Sequence, residues 1–186
     1  MNRLIAAISL AATATAGPSF GACDKSYSPM ETFDVDSYSG LWYEISRDKY
    51  TFFEALQSCV TATYTANDDG TVGVNNQAYM PIRGWSGGKA IAVPADTGDA
   101  SLIVDFSGQT PDPSQTPNYT VLDTDYETYT VVYSCSNIAK GLASFEFLWI
   151  LSRTPTLDDA TMISIVEKID AKLPKYNYFR NQHQTW

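Results

Sequence analysis

Apolar and polar residues alternate along much of this chain with a period of two. In Phe145-Glu146-Phe147-Leu148-Trp149-Ile150-Leu151, Glu146 marks the outer face, so Phe145, Phe147, Trp149 and Leu151 share the inner one. Leu148 and Ile150 are apolar yet fall on the outer face, and therefore need a cover. In Leu102-Ile103-Val104-Asp105-Phe106, Asp105 sends Leu102, Val104 and Phe106 inward. In Val72-Gly73-Val74-Asn75-Asn76, the parity of the valines places Asn76 inside, where an amide requires a partner. Eight segments of this kind follow one another at short intervals: 41–47, 60–66, 71–79, 89–93, 101–106, 119–123, 128–135 and 145–151. Turn residues separate several of them, including Asn67-Asp68-Asp69-Gly70 and a Pro-rich stretch at 107–118. Regular short strands with polar turns predict an all-β domain, either a closed barrel or a sandwich.

The period changes twice. A short helical turn is expected in 33–39, leading into Gly40. Near the end, Met162, Ile163, Ile165, Val166 and Ile169 mark the apolar face of a helix. Thr156 or Asp158 can cap it, Asp158 and Asp159 suit its positive N-terminus, and Pro174 ends it. This helix is the expected cover for Leu148 and Ile150.

Residues 1–16 have the form of a secretory signal: Arg3 at the start, an apolar run, and Ala14-Thr15-Ala16 as a small-x-small cleavage site, with cleavage as late as 22 also open. The domain proper is then 23–186. The net charge of −9 disfavours nucleic acid and anionic lipid as partners. Three cysteines, Cys23, Cys59 and Cys135, follow the signal, and spacing alone leaves all three pairings open. Asn118-Tyr119-Thr120 is a sequon that makes Asn118 a glycosylation candidate in a eukaryotic secretory pathway.

Three separated segments carry a resemblance. They are Gly40-Leu41-Trp42-Tyr43-Glu44, Thr124-Asp125-Tyr126, and Arg153 within Trp149-Ile150-Leu151-Ser152-Arg153-Thr154-Pro155. In this order and spacing the chain resembles the lipocalins, most of all their apolipoprotein D branch, with bacterial and plant lipocalins sharing much of the pattern. The resemblance implies an eight-stranded antiparallel up-and-down β-barrel with one C-terminal α-helix packed on the outside. It implies that Trp42 closes one end, with the Arg153 guanidinium laid on its ring. Gly40, Trp42, Thr124, Asp125, Tyr126 and Arg153 are thus structural, not ligand-binding. It further implies that Tyr64, Val74, Asn76, Val104, Phe106, Phe147 and Trp149 line a cavity for a small hydrophobic molecule such as a fatty acid, retinoid or steroid. Phe52, Phe53 and Trp85 belong near the mouth. The resemblance pairs Cys23 with Cys135, and gives Cys59 a family partner near the C-terminus that this tail lacks. The tail is then expected to be loose, or held by Tyr176, Tyr178, Phe179 and Trp186.

The expectation is a monomeric secreted carrier with no metal or cofactor, and an unidentified cell-surface receptor as a further candidate partner. The only histidine, His183, is poorly placed for a nucleophile–base pair, and no metal-ligand spacing is present. Two alternatives stand beside the carrier. One is a thiol-dependent lipid isomerase or lipid-peroxide antioxidant using Cys59. The other is an outer-membrane or periplasmic lipoprotein acylated at Cys23, because Phe20-Gly21-Ala22-Cys23 faintly resembles a lipidation box.

Overall fold

The computed structural model describes residues 19–24, 26–178 and 181–184. The signal-like run 1–16, and Phe179 and Trp186 of the tail, lie outside the described residues. In chain order the elements are β1 (Ser19–Phe20), α1 (Val35–Tyr38), β2 (Gly40–Asp48), β3 (Ser58–Ala66), β4 (Val72–Met80), β5 (Gly84–Pro94), β6 (Ser101–Asp105), β7 (Tyr119–Thr124), β8 (Tyr129–Ile138), β9 (Ala143–Ser152), α2 (Asp159–Lys172) and β10 (Asn181–His183). Each strand from β2 to β9 pairs antiparallel with the next, and β9 returns to β2 through Tyr43↔Ser152, Glu44↔Leu151 and Arg47↔Trp149. That last pairing closes the sheet, so the architecture is a barrel and not a sandwich.

All eight expected strands are present. β5 starts at Gly84, earlier than residue 89, because Gly84-Trp85-Ser86-Gly87-Gly88 continues the ladder with β4 instead of turning. Its glycines serve close approach: a Cβ on Gly87 would stand 2.3 Å from the Asn76 carbonyl oxygen.

Alternation divides the apolar side chains into two cores. Trp42, Tyr64, Val74, Leu102, Val121, Val132 and Leu151 pack inside the barrel. Ile45, Leu122, Val131, Tyr133, Leu148 and Ile150 point outward, and α2 buries them with Ile165, Ile169 and Leu173. Leu148 and Ile150 are fully buried there. The N-cap is Asp158, which accepts from Thr161 N and Oγ1 at 3.0 and 2.7 Å. Ile165 and Ile169, four apart, make the contact face; Ile163 projects away from it and is 61% exposed, contrary to the sequence expectation. Lys168 adds a salt bridge to Asp123 on β7 at 3.0 Å.

The lead before α1 runs along the outside and is fixed at several points. Cys23 is joined to Cys135 on β8, Cα to Cα 5.9 Å. Ser28 N donates to Lys172 O, and Met30 exchanges backbone bonds with Val121 and Ala100. The tail is held too. Tyr176 is buried, and its hydroxyl donates to Asp48 Oδ2 at 2.9 Å. β10 pairs with 46–48 of β2, beyond 40–43, which pair with β3.

Candidate functional site

One end of the barrel is closed. Asp34 caps α1 by accepting from Ser37 N at 3.1 Å, and α1 brings the Tyr38 carbonyl under the barrel, where Trp42 Nε1 donates to it at 2.8 Å. The Trp42 ring is fully buried, and the Arg153 guanidinium lies 3.7 Å from its centroid. Arg153 also donates to the carbonyls of Tyr126, Leu41, Ser37 and Ser39, each at 3.0 Å. Gly40 permits this approach: its φ is +105°, and a Cβ there would sit 3.2 Å from Arg153 Nη1. The Thr124-Asp125-Tyr126 turn supplies the Tyr126 carbonyl. Asp125 Oδ1 accepts from the backbone N–H groups of Glu127, Thr128 and Tyr129 at 3.1, 2.7 and 3.1 Å.

Above this floor lies a cavity of about 580 Å³, within the range of small-molecule sites. Its apolar wall is formed by Val60, Ala62, Val74, Val104, Val132 and Leu151, with the rings of Tyr64, Tyr119, Phe147 and Trp149. The Tyr119 hydroxyl meets those of Tyr38 and Tyr64 at 2.7 and 2.8 Å. Burial pushes the Tyr64 and Tyr119 hydroxyls well above their ordinary titration range, so both are neutral. Asn76 Oδ1 is buried in this wall without a hydrogen-bond partner among the described residues.

The β2–β3 connection folds over the mouth. Its short helical turn, Phe52–Glu54, sets Phe53 edge-on to Phe147 at 5.4 Å, and Glu54 Oε2 accepts from Trp149 Nε1 at 3.1 Å. Beneath it is a charged cluster. Arg47 Nη1 donates to Glu44 Oε1 at 2.6 Å, while Nη2 donates to the carbonyls of Glu54 and Gln57 at 2.9 and 3.0 Å. Arg47 Nε is 3.8 Å from Glu54 Oε2. Two carboxylates therefore share one guanidinium. Burial raises the Glu44 carboxyl above its ordinary 4.5; the neighbouring Glu54 adds to the rise and Arg47 opposes it. Glu54 is raised by burial as well, against the bond from Trp149 and the charge of Arg47.

A family model described as a Lipocalin-like domain matches residues 33–180. The chain belongs to the lipocalin family. It is 39% identical over 158 residues to the outer membrane lipoprotein Blc of Escherichia coli K12, covering 81% of each chain. Apolipoprotein D of Bos taurus is 36% identical over 134 residues, which span 72% of this chain and 67% of that one. Among solved structures, insecticyanin from the tobacco hornworm Manduca sexta aligns with a TM-score of 0.75 over 91% of this chain and 90% of that one, at 20% identity. Apocrustacyanin C1 aligns with a TM-score of 0.70 over 89% of each chain at 19% identity. These two share the fold.

In this lipocalin the seven residues expected on the inner wall, Tyr64, Val74, Asn76, Val104, Phe106, Phe147 and Trp149, all border the cavity. Phe106 does so from the rim: it follows the last residue of β6 and is 58% exposed. Trp85 also stands at the mouth end, 63% exposed and edge-on to Tyr79. Phe145 shares the inner parity but packs with Phe52 and Phe147 instead of lining the cavity. Cys59 lies at the irregular start of β3 with φ +51° and is not among the lining residues. Asn118 is exposed, and its amide both accepts from Val104 N and donates to Val104 O, at 2.8 and 2.9 Å. Among the described residues no group of His, Cys, Asp or Glu is arranged to hold a metal ion.

Sequence reasoning missed Glu44, Glu54 and Tyr119 as wall residues. The raised carboxyls have a consequence for stability. A folded-state value above the ordinary one contributes stability that is full below pH 4.5 and is lost as pH rises through the raised value. Urea titrations of the native protein should therefore show stability falling from acidic to mildly alkaline pH more steeply than in Glu44→Gln. Parallel profiles would show that the cluster is not the source.

Proposed function

We propose that this lipocalin is a secreted carrier that holds one small, mainly apolar molecule inside the barrel. The observation that carries the reading is the cavity of about 580 Å³, walled by aliphatic and aromatic side chains, closed below by Trp42 and roofed by Phe53. Bare packing would fill such a space, whereas here β5 contributes Gly87 and Gly88 to the wall. The seven wall residues predicted from sequence are the proposed contacts. Saturable quenching of tryptophan fluorescence by apolar ligands is the test. Trp149→Ala should weaken binding by about tenfold, the scale of one lost favourable contact, with the fold retained by circular dichroism. Unchanged affinity would place Trp149 outside the binding surface.

A second reading, a membrane-anchored lipoprotein acylated at Cys23, is favoured by the likeness to the bacterial outer membrane lipoprotein Blc. It competes for the sulfur that joins Cys135. Intact-mass measurement of the mature protein separates the two: a bridge removes two hydrogens, while acyl chains add mass. The same spectrum reports whether Asn118 carries a glycan. The Cys59 isomerase reading has less behind it, since Cys59 does not line the cavity.

A further inference from the structure

We infer that the cavity selects a molecule whose polar end donates a hydrogen bond and carries no negative charge, an alcohol or amine of long apolar body rather than a carboxylate. This rests on the carrier reading and sharpens it.

The argument is an inventory of the wall. Two carboxyl side chains, Glu44 and Glu54, border the cavity, and among the described residues no Lys, Arg or His does. Arg47, the cation bonded to Glu44, is 2% exposed and already donates to Glu44 and to two backbone carbonyls. It is thus not available as the counter-ion of an incoming anion. Every other polar group on the wall is neutral. A carboxylate brought inside would lose its hydration and lie beside this acidic pair in a poorly screening interior, with no cation among the described wall residues to offset the cost. A hydroxyl or ammonium meets the reverse. Glu54 has a second carboxyl oxygen without a hydrogen bond among the described residues. Asn76 adds a buried acceptor, Oδ1, that is also unmatched. Asn76 lies in register across Ala62 from Trp42, so it sits at a different level of the barrel from Glu44, the next inward residue of β2. Both acceptors are therefore reachable along one elongated occupant, or by a molecule bearing two donors.

The experiment uses the full mature protein and a neutral fluorescent probe, N-phenyl-1-naphthylamine, displaced by decanol, decylamine or decanoate below their micelle-forming concentrations at neutral pH. Decanol and decylamine should displace it at concentrations about tenfold or more below decanoate. Glu54→Gln keeps the size of the side chain and an acceptor for Trp149 Nε1, and should draw the amine and carboxylate curves together. Glu44→Gln should act in the same direction, and probe affinity itself reports that each variant keeps its cavity. Displacement by decanoate as good as by decanol would overturn the inference while leaving the carrier reading intact, as would a gap between amine and carboxylate that neither variant narrows. Failure of all three to compete, or failure of the probe to bind, would remove the carrier reading and this inference with it.

Discussion

Trp42→Ala is expected to destabilise the barrel by about 3–5 kcal/mol, the range for deleting a large buried aromatic side chain. The indole is wholly buried against Tyr38, 5.2 Å between ring centroids, and its N–H satisfies the Tyr38 carbonyl. Its loss opens a void and also removes the surface on which the Arg153 guanidinium rests. Arg153→Lys is the companion change. It keeps the charge but cannot lie flat or reach four separate carbonyls, so it should cost about 1–3 kcal/mol. Urea unfolding should show a lowered midpoint at unchanged slope for both. Because Trp42 is not among the cavity-lining residues, the fraction that remains folded should bind the apolar probe as the native protein does. A Trp42→Ala protein of full stability would reduce the floor to mere filler.

The second large effect concerns the bridge. Replacing both Cys23 and Cys135 with serine should cost about 2–5 kcal/mol, since the bridge closes a loop spanning 112 positions and the chain-entropy gain is near the top of the usual range. Other ties limit the local damage. The lead keeps the tilted ring contact of Tyr27 with Tyr133 at 5.2 Å, the Lys175–Asp24 salt bridge at 3.0 Å, and its backbone bonds to Lys172 and Val121. The double variant should therefore remain folded with a lower unfolding midpoint. Its midpoint should be indifferent to reductant, whereas that of the native protein should drop when a reductant is added. A native midpoint insensitive to reductant would show that the sulfurs are not joined.

The strands and α2 were legible because each buries one face, and burial writes itself into the order of residues. Glu146 and Asp105 fixed which parity faces inward, and the unexplained Leu148 and Ile150 announced a covering helix. The closed end was legible through the family resemblance of the three separated segments, and a flat cation with several donors suits the place it gives Arg153 on Trp42. The charged cluster at the mouth was not. Glu44 follows Trp42 by two and so has inward parity, but Arg47, three further on, should face away. A register shift between Glu44 and Ser46 undoes that alternation and brings the guanidinium to the carboxylate. Such a shift leaves no trace in the pattern. Asn181-Gln182-His183 likewise has no apolar alternation; β10 exists through backbone pairing beside a buried Tyr176, and nothing in its composition foretells it. The register break at the start of β3 sets Cys59 off the wall in the same silent way.

The plugged floor makes the container a blind alley. With Trp42 and Arg153 sealing one end, arrival and departure among the described residues share the doorway beneath Phe53 and Glu54. A newcomer has no route by which to push the resident out from behind, so one guest must leave before the next can settle.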